Sequence, residues 1–139
     1  MLQWIDYDKT FAHLVDSWLD ADAITMTGIA DSWDEYWSAV CADAVNFPGC
    51  EDFCKVIFEN SVPIAALCYG IFEGTMTVSE IVVSPAFRGK GIGSKLIKEL
   101  VDKSGSDAVT QIEAVVYPRN IASQKAFQKA GFHLEGTTE

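Results

Sequence analysis

Three glycines and two basic residues fall within six consecutive positions, Arg88-Gly89-Lys90-Gly91-Ile92-Gly93. Glycines allow sharp turns and let main-chain N–H groups approach an anion without a Cβ between them. The residues that follow have apolar side chains at a helical period, and the N-terminus of a helix attracts the same anion. The segment therefore predicts a phosphate or pyrophosphate site.

Two other kinds of phosphate loop fit this segment poorly. A Walker loop ends in Gly-Lys-Ser or Gly-Lys-Thr, which is absent here. A dinucleotide fold uses Gly-x-Gly-x-x-Gly after its first strand, whereas here the spacing is Gly-x-Gly-x-Gly and the loop follows a predicted meander of strands. The remaining alternative is a glycine-rich connection with a solvated Arg88 and Lys90.

Two motifs in this chain resemble those of the GNAT family of N-acetyltransferases. Residues 80–93 match a strand ending in Val-x-Pro and then [Gln/Arg]-x-x-Gly-x-[Gly/Ala], and residues 120–132 are similar to the motif that runs from Asn-x-x-[Ala/Ser] to Gly-Phe. Over residues 1–79 only the order of elements is similar. The resemblance implies an enzyme that moves an acetyl group from acetyl-CoA to a primary amine by direct attack.

The resemblance also implies which residues contact coenzyme A. Main-chain N–H groups at Ile81 and Val82 would hold the thioester carbonyl, and Val83 would offer backbone groups to the pantetheine arm. The residues expected to hold the pyrophosphate, mainly through backbone N–H groups, are Arg88, Gly89, Lys90, Gly91, Ile92, Gly93 and Ser94. Asn120 and Ser123 would contact the far end of the arm or its phosphates, although they also suit a helix N-cap and a surface position.

Glu80 is the predicted catalytic base, because similar enzymes often use an acidic residue on this strand. An alkylamine with a pKa near 10 must lose a proton before it attacks. Strand alternation predicts that Glu80 faces the same way as Val82 and opposite to Ile81. The alternative is a solvated charge on a strand, and Glu113 and Glu35 are weaker candidates for the base.

The family's usual acid is absent, since Phe127 stands seven residues after Asn120, where many relatives have a Tyr. A Phe cannot donate a proton. Tyr117 is the substitute that we predict, with Tyr69 as another, and unaided departure of a thiolate is also tolerable. The same substitution leaves open a non-catalytic acyl-CoA-binding or regulatory module of this fold.

The charge distribution suggests two ligands of opposite sign. The net charge is −10; residues 1–80 hold two bases and fourteen acids, and residues 81–139 hold eight bases and six acids. This acidic first part argues against nucleic-acid binding and favours a cationic acceptor such as a small amine, a polyamine or a peptide N-terminus, or else serves only solubility. The aromatic residues expected near the acceptor are Trp18, Trp33, Tyr36 and Trp37, although aromatics at helical spacing are usually core.

The elements that must position these residues can be predicted from periodicity. Strands are expected at 2–6, 53–59, 63–72, 75–83, 109–116 and from 132 to 134; helices at 8–19, about 32–45, 91–103 and 123–129; residues 20–30 are expected to be irregular. The order β-α-α-β-β-β-α-β-α-β predicts one α/β (α+β) domain over 1–139 with a mixed, mainly antiparallel, twisted sheet flanked by helices.

The remaining features set limits on location and assembly. The four cysteines and two histidines show no zinc spacing, so no metal is expected. No apolar run of membrane-spanning length and no signal peptide is present, so a cytoplasmic protein without a membrane partner is expected. Relatives have one more strand after the Gly-Phe strand. The short end here suggests that this strand is missing, truncated or supplied by a second subunit, which makes a homodimer one expectation.

Overall fold

The sheet is built from one meander and one crossover. A computed structural model describes residues 2–27, 29, 32–105, 109–117 and 119–133. The strands are β1 (Leu2–Asp6), β2 (Glu51–Glu59), β3 (Val62–Phe72), β4 (Thr75–Val83) and β5 (Gln111–Ala114). They lie in the order β1-β2-β3-β4-β5, with antiparallel pairing up to β4 and parallel pairing between β4 and β5. The predicted meander and the parallel crossover are both present.

In the part of the chain that the structure describes, five α-helices cover this sheet, with short 3₁₀ helices at Lys9–Phe11, Ala44–Asn46 and Pro85–Phe87. They are α1 (Ala12–Asp16), α2 (Ala21–Thr27), α3 (Trp33–Asp43), α4 (Ile92–Ser104) and α5 (Ile121–Lys129). Within the described residues, none of them is both long and apolar enough to cross a membrane.

The segment predicted to be irregular, residues 20–30, contains a helix instead. α2 begins where Asp20 Oδ1 accepts a hydrogen bond from the main-chain N–H of Ala23 at 3.0 Å. Asp is a strong helix N-cap. This signal was missed because α2 is short and closely follows another capped segment, the one that begins at Asp8. The order between β1 and β2 is therefore three helices rather than two.

Other boundaries differ at element ends. The first predicted helix is divided into the 3₁₀ turn and α1, because Asp8 caps the turn through the N–H of Thr10. β5 is shorter than expected, and α5 starts earlier because Asn120 caps it through the N–H of Ser123 at 3.1 Å. Phe132 and His133 are not in a strand, and Leu134 lies outside the described residues.

Two hydrophobic cores lie on opposite faces of the sheet. One is formed where α4 and α5 cover residues such as Leu67 and Met76. The other is formed where α1, α2 and α3 cover residues such as Val56, Ala66 and Val82. Alternation along the strands sends successive side chains into the two cores, and their burial supplies most of the stabilisation.

Candidate active site

The glycine loop needs its glycines for backbone conformation. Gly89 and Gly91 have φ of +75° and +77°, a region that residues with a Cβ rarely adopt. Gly91 is the N-cap of α4, and no side chain in the described part of the chain caps this end. Among the described residues, no atom beyond their chain neighbours lies within 4 Å of where a Cβ at either glycine would be. The loop is therefore uncrowded on the Cβ side of both glycines, and the first turn of α4 keeps N–H groups that no side chain caps, as an anion site requires.

β4 and β5 separate beside this loop. Their parallel pairing covers Thr75–Val78 against Gln111–Ala114, whereas β4 continues to Val83. From Ser79 onward, the edge of β4 that faces β5 has no strand paired with it in the described residues. Such an edge presents backbone N–H and C=O groups to an extended ligand.

A cleft of about 400 Å³ begins at this edge and reaches the glycine loop. Its lining includes Ile81, Val82, Val83, Arg88, Gly89, Gly91, Ile92, Gly93, Ser94, Asn120 and Ser123. These are the predicted cofactor residues except Lys90, which is exposed and lies with its Nζ 5.4 Å from the centre of the Phe87 ring. One cleft thus brings together two segments that the sequence motifs had identified separately.

The cleft also has walls that sequence reasoning missed. Ala23 and Thr27 of α2 form one wall, and Lys125 and Lys129 of α5 lie along another. The lysines could have been found from the sequence, because they are four residues apart and therefore neighbours on the surface of a helix. In the structure this helix also carries Ala126, whose Cβ lies 3.6 Å from where a Cβ at Gly93 would be. The α2 wall had no comparable signal, since α2 itself was not predicted.

Glu80 is placed by a β-bulge in β4. Cys68 lies opposite Glu80, but the next residue, Tyr69, lies opposite Val78, so Ser79 is the extra residue. Glu80 therefore shares the face of Cys68 and of Val82, as alternation predicted. It is not the solvated charge of the alternative interpretation, because burial raises its pKa to about 8.

A second, smaller cavity lies between the diverging strands. It is lined by Glu80, Tyr117 and Phe127, together with Thr27, Val78, Ser79, Ile81, Val115, Val116, Asn120 and Ser123. The structure thus brings the predicted base and the predicted substitute acid to one cavity. Tyr117 is 44% exposed with Arg119 4.6 Å over its ring, whereas Phe127 is buried and packs edge-on against Phe132.

The other candidate acids and bases lie elsewhere. Glu35 and Glu113 are exposed and line neither cavity, and Glu113 accepts a hydrogen bond from Thr77 at 3.5 Å. Tyr69 stacks on Phe53 at 5.0 Å and packs into the α4–α5 core, on the face opposite Glu80. The geometry therefore favours Glu80 and Tyr117 over these alternatives.

The aromatic residues of the first helices divide into core and site. Trp18 and Trp33 are only 4% and 0% exposed and fill the core covered by α1, α2 and α3, so of the two roles left open by the sequence they have the core role usual for aromatics at helical spacing. Tyr36 and Trp37 are half-buried against this core. The Tyr36 hydroxyl shares a hydrogen bond with Ser79, and burial, together with the charges of Cys68 and Glu80, raises the pKa of Tyr36.

Comparison with known proteins gives a family match over most of the chain. The model of the Acetyltransferase (GNAT) family matches residues 12–132. The chain is similar to L-2,4-diaminobutyric acid acetyltransferase of Halalkalibacterium halodurans, with 46% identity over 86 residues, which are 58% of this chain and 46% of the relative. It is also similar to aminoglycoside N(6')-acetyltransferase type 1 of Klebsiella pneumoniae, with 32% identity over 65 residues, which are 46% of this chain and 32% of that enzyme.

The fold has solved counterparts. A crystal structure of aminoglycoside acetyltransferase AAC(6')-Ib in complex with coenzyme A superposes with a TM-score of 0.80 and 21% identity, covering 99% of this chain and 87% of that chain. A putative phosphinothricin N-acetyltransferase superposes with a TM-score of 0.70 and 21% identity, covering 98% and 86%. By contrast, the chain spans less than half the length of the two relatives matched by sequence.

Proposed function

Because the chain belongs to the GNAT family of acetyltransferases, we propose that it transfers an acetyl group from acetyl-CoA to a primary amine. The family and the fold class predicted from the two motifs are confirmed. The observation that carries the proposal is that the 400 Å³ cleft shares lining residues such as Thr27 and Ile81 with the smaller cavity, where the carboxyl group of Glu80 is half-buried.

The cleft suits the anionic part of coenzyme A. The open space above Gly89 and Gly91, and the first turn of α4 without a side-chain cap, fit a pyrophosphate held by main-chain N–H groups. Lys125 and Lys129 add positive charge on the α5 side of the same cleft. Acetyl-CoA would supply an acetyl group activated as a thioester.

The residues along the free edge of β4 position the acetyl group. The backbone of Val83 would pair with the pantetheine arm in the manner of an added strand. Main-chain N–H groups at Ile81 and Val82 would stabilise the negative charge that develops on the carbonyl oxygen, because donors fixed in advance need no reorganisation. These three residues line the cleft.

Glu80 would remove the proton from the acceptor, directly or through water. A carboxyl group with a pKa of about 8 is a stronger base than an ordinary carboxylate, but it is mostly protonated at pH 7. A cationic acceptor beside it would lower this pKa and favour ionisation. Burial thus matches the basicity of Glu80 to an amine substrate.

The leaving sulfur could take a proton from a residue of this cavity. Phe127 lies where a hydroxyl would be expected and cannot donate. Tyr117 lines the same cavity and has an O–H group. We propose Tyr117 as the acid, with unaided departure of the thiolate as the alternative.

The acceptor is proposed to be cationic. The two relatives named above are enzymes for diaminobutyric acid and aminoglycosides, which are amines. In this chain the half-buried Tyr36 lies close enough to Glu80 for the charge of that carboxyl group to raise its pKa, and the Tyr36 ring could contact a cation. Residues 1–80 supply a negative environment, with a net charge of −12 from two bases and fourteen acids.

A non-catalytic acyl-CoA-binding module is the second candidate, and Phe127 is the observation that favours it. One experiment distinguishes the two functions. Purified protein is incubated with acetyl-CoA and a panel of acceptors: a diamine, a polyamine, an aminoglycoside and a peptide with a free N-terminus. We expect release of free thiol with at least one amine, and a large loss of this release in Glu80→Gln.

Three results would count against the enzyme. Tight coenzyme A binding without turnover, unaffected by Glu80→Gln, would establish the binding module instead. Absence of coenzyme A binding in calorimetry would reject both functions. A nicotinamide or adenylate nucleotide found by mass spectrometry in the purified protein, in place of coenzyme A, would also reject both.

A further inference from the structure

The Arg88 side chain is held by three acceptors on the protein itself. Its Nε donates to the Val83 carbonyl oxygen at 3.0 Å, one terminal nitrogen donates to Asp20 Oδ2 at 2.7 Å, and the other donates to the Trp18 carbonyl oxygen at 2.8 Å. The guanidinium group thereby joins the end of β4 to the connection between α1 and α2. Only a planar fork of donors can satisfy three acceptors in this way.

Asp20 accepts a second hydrogen bond, which ties its contact with Arg88 to the start of α2. Its other oxygen accepts the N–H of Ala23 at 3.0 Å and so begins α2. This backbone bond first, and the bond from Arg88 second, hold the pKa of Asp20 below its usual value. One carboxylate therefore fixes both the start of α2 and the guanidinium group.

α2 is the wall shared by the two cavities. Ala23 and Thr27 line the cofactor cleft, and Thr27 also lines the smaller cavity beside Glu80. Thr27 is itself fixed, since its hydroxyl donates to the Ala23 carbonyl at 2.8 Å and accepts the N–H of Ile29 at 3.1 Å. A shift of α2 would therefore change the shape of both cavities together.

We propose that Arg88 is a positioning residue whose guanidinium group clamps α2 against β4 and so shapes the cofactor cleft, and that it does not bind the cofactor's phosphates. The inference rests on the proposed function, because the shape of this wall matters only if the cleft binds coenzyme A. It differs from the expectation raised by the motif, in which Arg88 adds positive charge to a pyrophosphate site.

The two possible roles of Arg88, phosphate ligand and clamp, predict opposite effects of Asp20→Asn on coenzyme A binding. If Arg88 served the phosphates, Asp20 would compete for it, and Asp20→Asn would free the guanidinium group and tighten coenzyme A binding. If Arg88 is a clamp, Asp20→Asn weakens binding, because the charge-assisted bond that holds α2 is lost. Asn is itself a good helix N-cap, so α2 keeps its start in this variant.

The test measures the coenzyme A Kd by calorimetry in four proteins. We expect Asp20→Asn and Arg88→Lys each to raise the Kd about tenfold or more, the effect of losing one charge-assisted hydrogen bond. Arg88→Lys keeps the charge but not the fork. The control Asp22→Asn removes the same charge two positions later, from an exposed residue of α2, and should change the Kd by less than about twofold.

The double variant and a cofactor-free measurement complete the test. If the two residues act as one clamp, Asp20→Asn with Arg88→Lys should raise the Kd no further than either change alone. Backbone amides of residues 17–27 should exchange hydrogen faster in both single variants than in Asp22→Asn, without coenzyme A. The clamp is overturned by unchanged exchange, or by a Kd that falls in Asp20→Asn; a wild-type protein that does not bind coenzyme A overturns the proposed function instead.

Discussion

The cofactor cleft and the acceptor side that we propose for this molecule are assembled in different ways. The cleft takes much of its lining from residues 81–94, where we propose that main-chain N–H and C=O groups bind the ligand. The acceptor side combines Tyr36 of α3 with Ser79 and Glu80 of β4, which meet only through the fold. A backbone site survives most changes of side chain, whereas a side-chain site depends on identity and burial at single positions.

The largest effect should come from the acceptor side, through Glu80→Gln. We expect kcat to fall by about 10²-fold or more, since a general base contributes about 10² to 10⁴. In the wild type, kcat/KM should rise with pH and level off above about 8, because Glu80 of the free enzyme must be ionised to act and its pKa is about 8. The variant should lose this pH dependence. An unchanged rate would show that the base lies elsewhere.

Stability measurements provide the control for that variant. The raised pKa means that folded Glu80 keeps its proton between about pH 4.5 and pH 8 while the unfolded chain has lost it. The free energy of unfolding therefore falls with rising pH in this window, by at most about 1.4 kcal/mol per pH unit. Glu80→Gln should flatten this fall in denaturant titrations. A variant less stable than wild type at pH 8 would contradict the account.

The next effect should come from the cofactor side, through Gly91→Ala. A Cβ at φ of +77° costs about 1–2 kcal/mol, and it distorts the N–H groups at the start of α4. We expect the coenzyme A Kd to rise about 5-fold to 30-fold. Gly105→Ala at the other end of α4, where φ is −60°, is the matched control and should change the Kd by less than about twofold. Equal effects of Gly91→Ala and Gly105→Ala on the Kd would show that the anion does not bind at the start of α4.

A smaller gain should follow from Phe127→Tyr. The residue lines the small cavity with Glu80, so a hydroxyl there adds a proton donor near the leaving sulfur. We expect kcat to increase up to about 10-fold if the enzyme lacks an efficient acid. Tyr117→Phe should lower kcat in the wild-type background and have less effect in the Phe127→Tyr background. Tyr117→Phe without effect in either background would remove Tyr117 from the mechanism.

The smallest effect should come from the two lysines of α5. Lys125→Gln and Lys129→Gln should each raise the coenzyme A Kd by about threefold at low salt, because exposed charges are screened by ions. The difference from wild type should shrink as salt increases, as measured by calorimetry at two ionic strengths. Lys98→Gln, on α4 outside the lining of the cleft, is the control. If the change in Kd does not depend on salt, the two lysines do not act on coenzyme A through their charge.

Much of the cofactor side could be predicted from the sequence because its signals are local. Gly89 and Gly91 are needed where φ is positive, and Asn120 is needed where a helix begins. The β-bulge at Ser79 had no such signal, because it arises from the register between β3 and β4. The roles of Trp18 and Trp33 were also undecided, since helical spacing is the same for an aromatic residue in a core and in a site.

The family, the meander with its crossover helix and the glycine loop could all be predicted from the order of the amino acids, since each depends on residues that are neighbours in the chain. The environment of Glu80, the wall formed by α2 and the partners of Arg88 became visible in the folded molecule. The physical reason is that burial and long-range hydrogen bonds are properties of segments brought together. A guanidinium group that looks from the motif like a phosphate ligand lies beside Asp20 and the Trp18 carbonyl once the chain has folded.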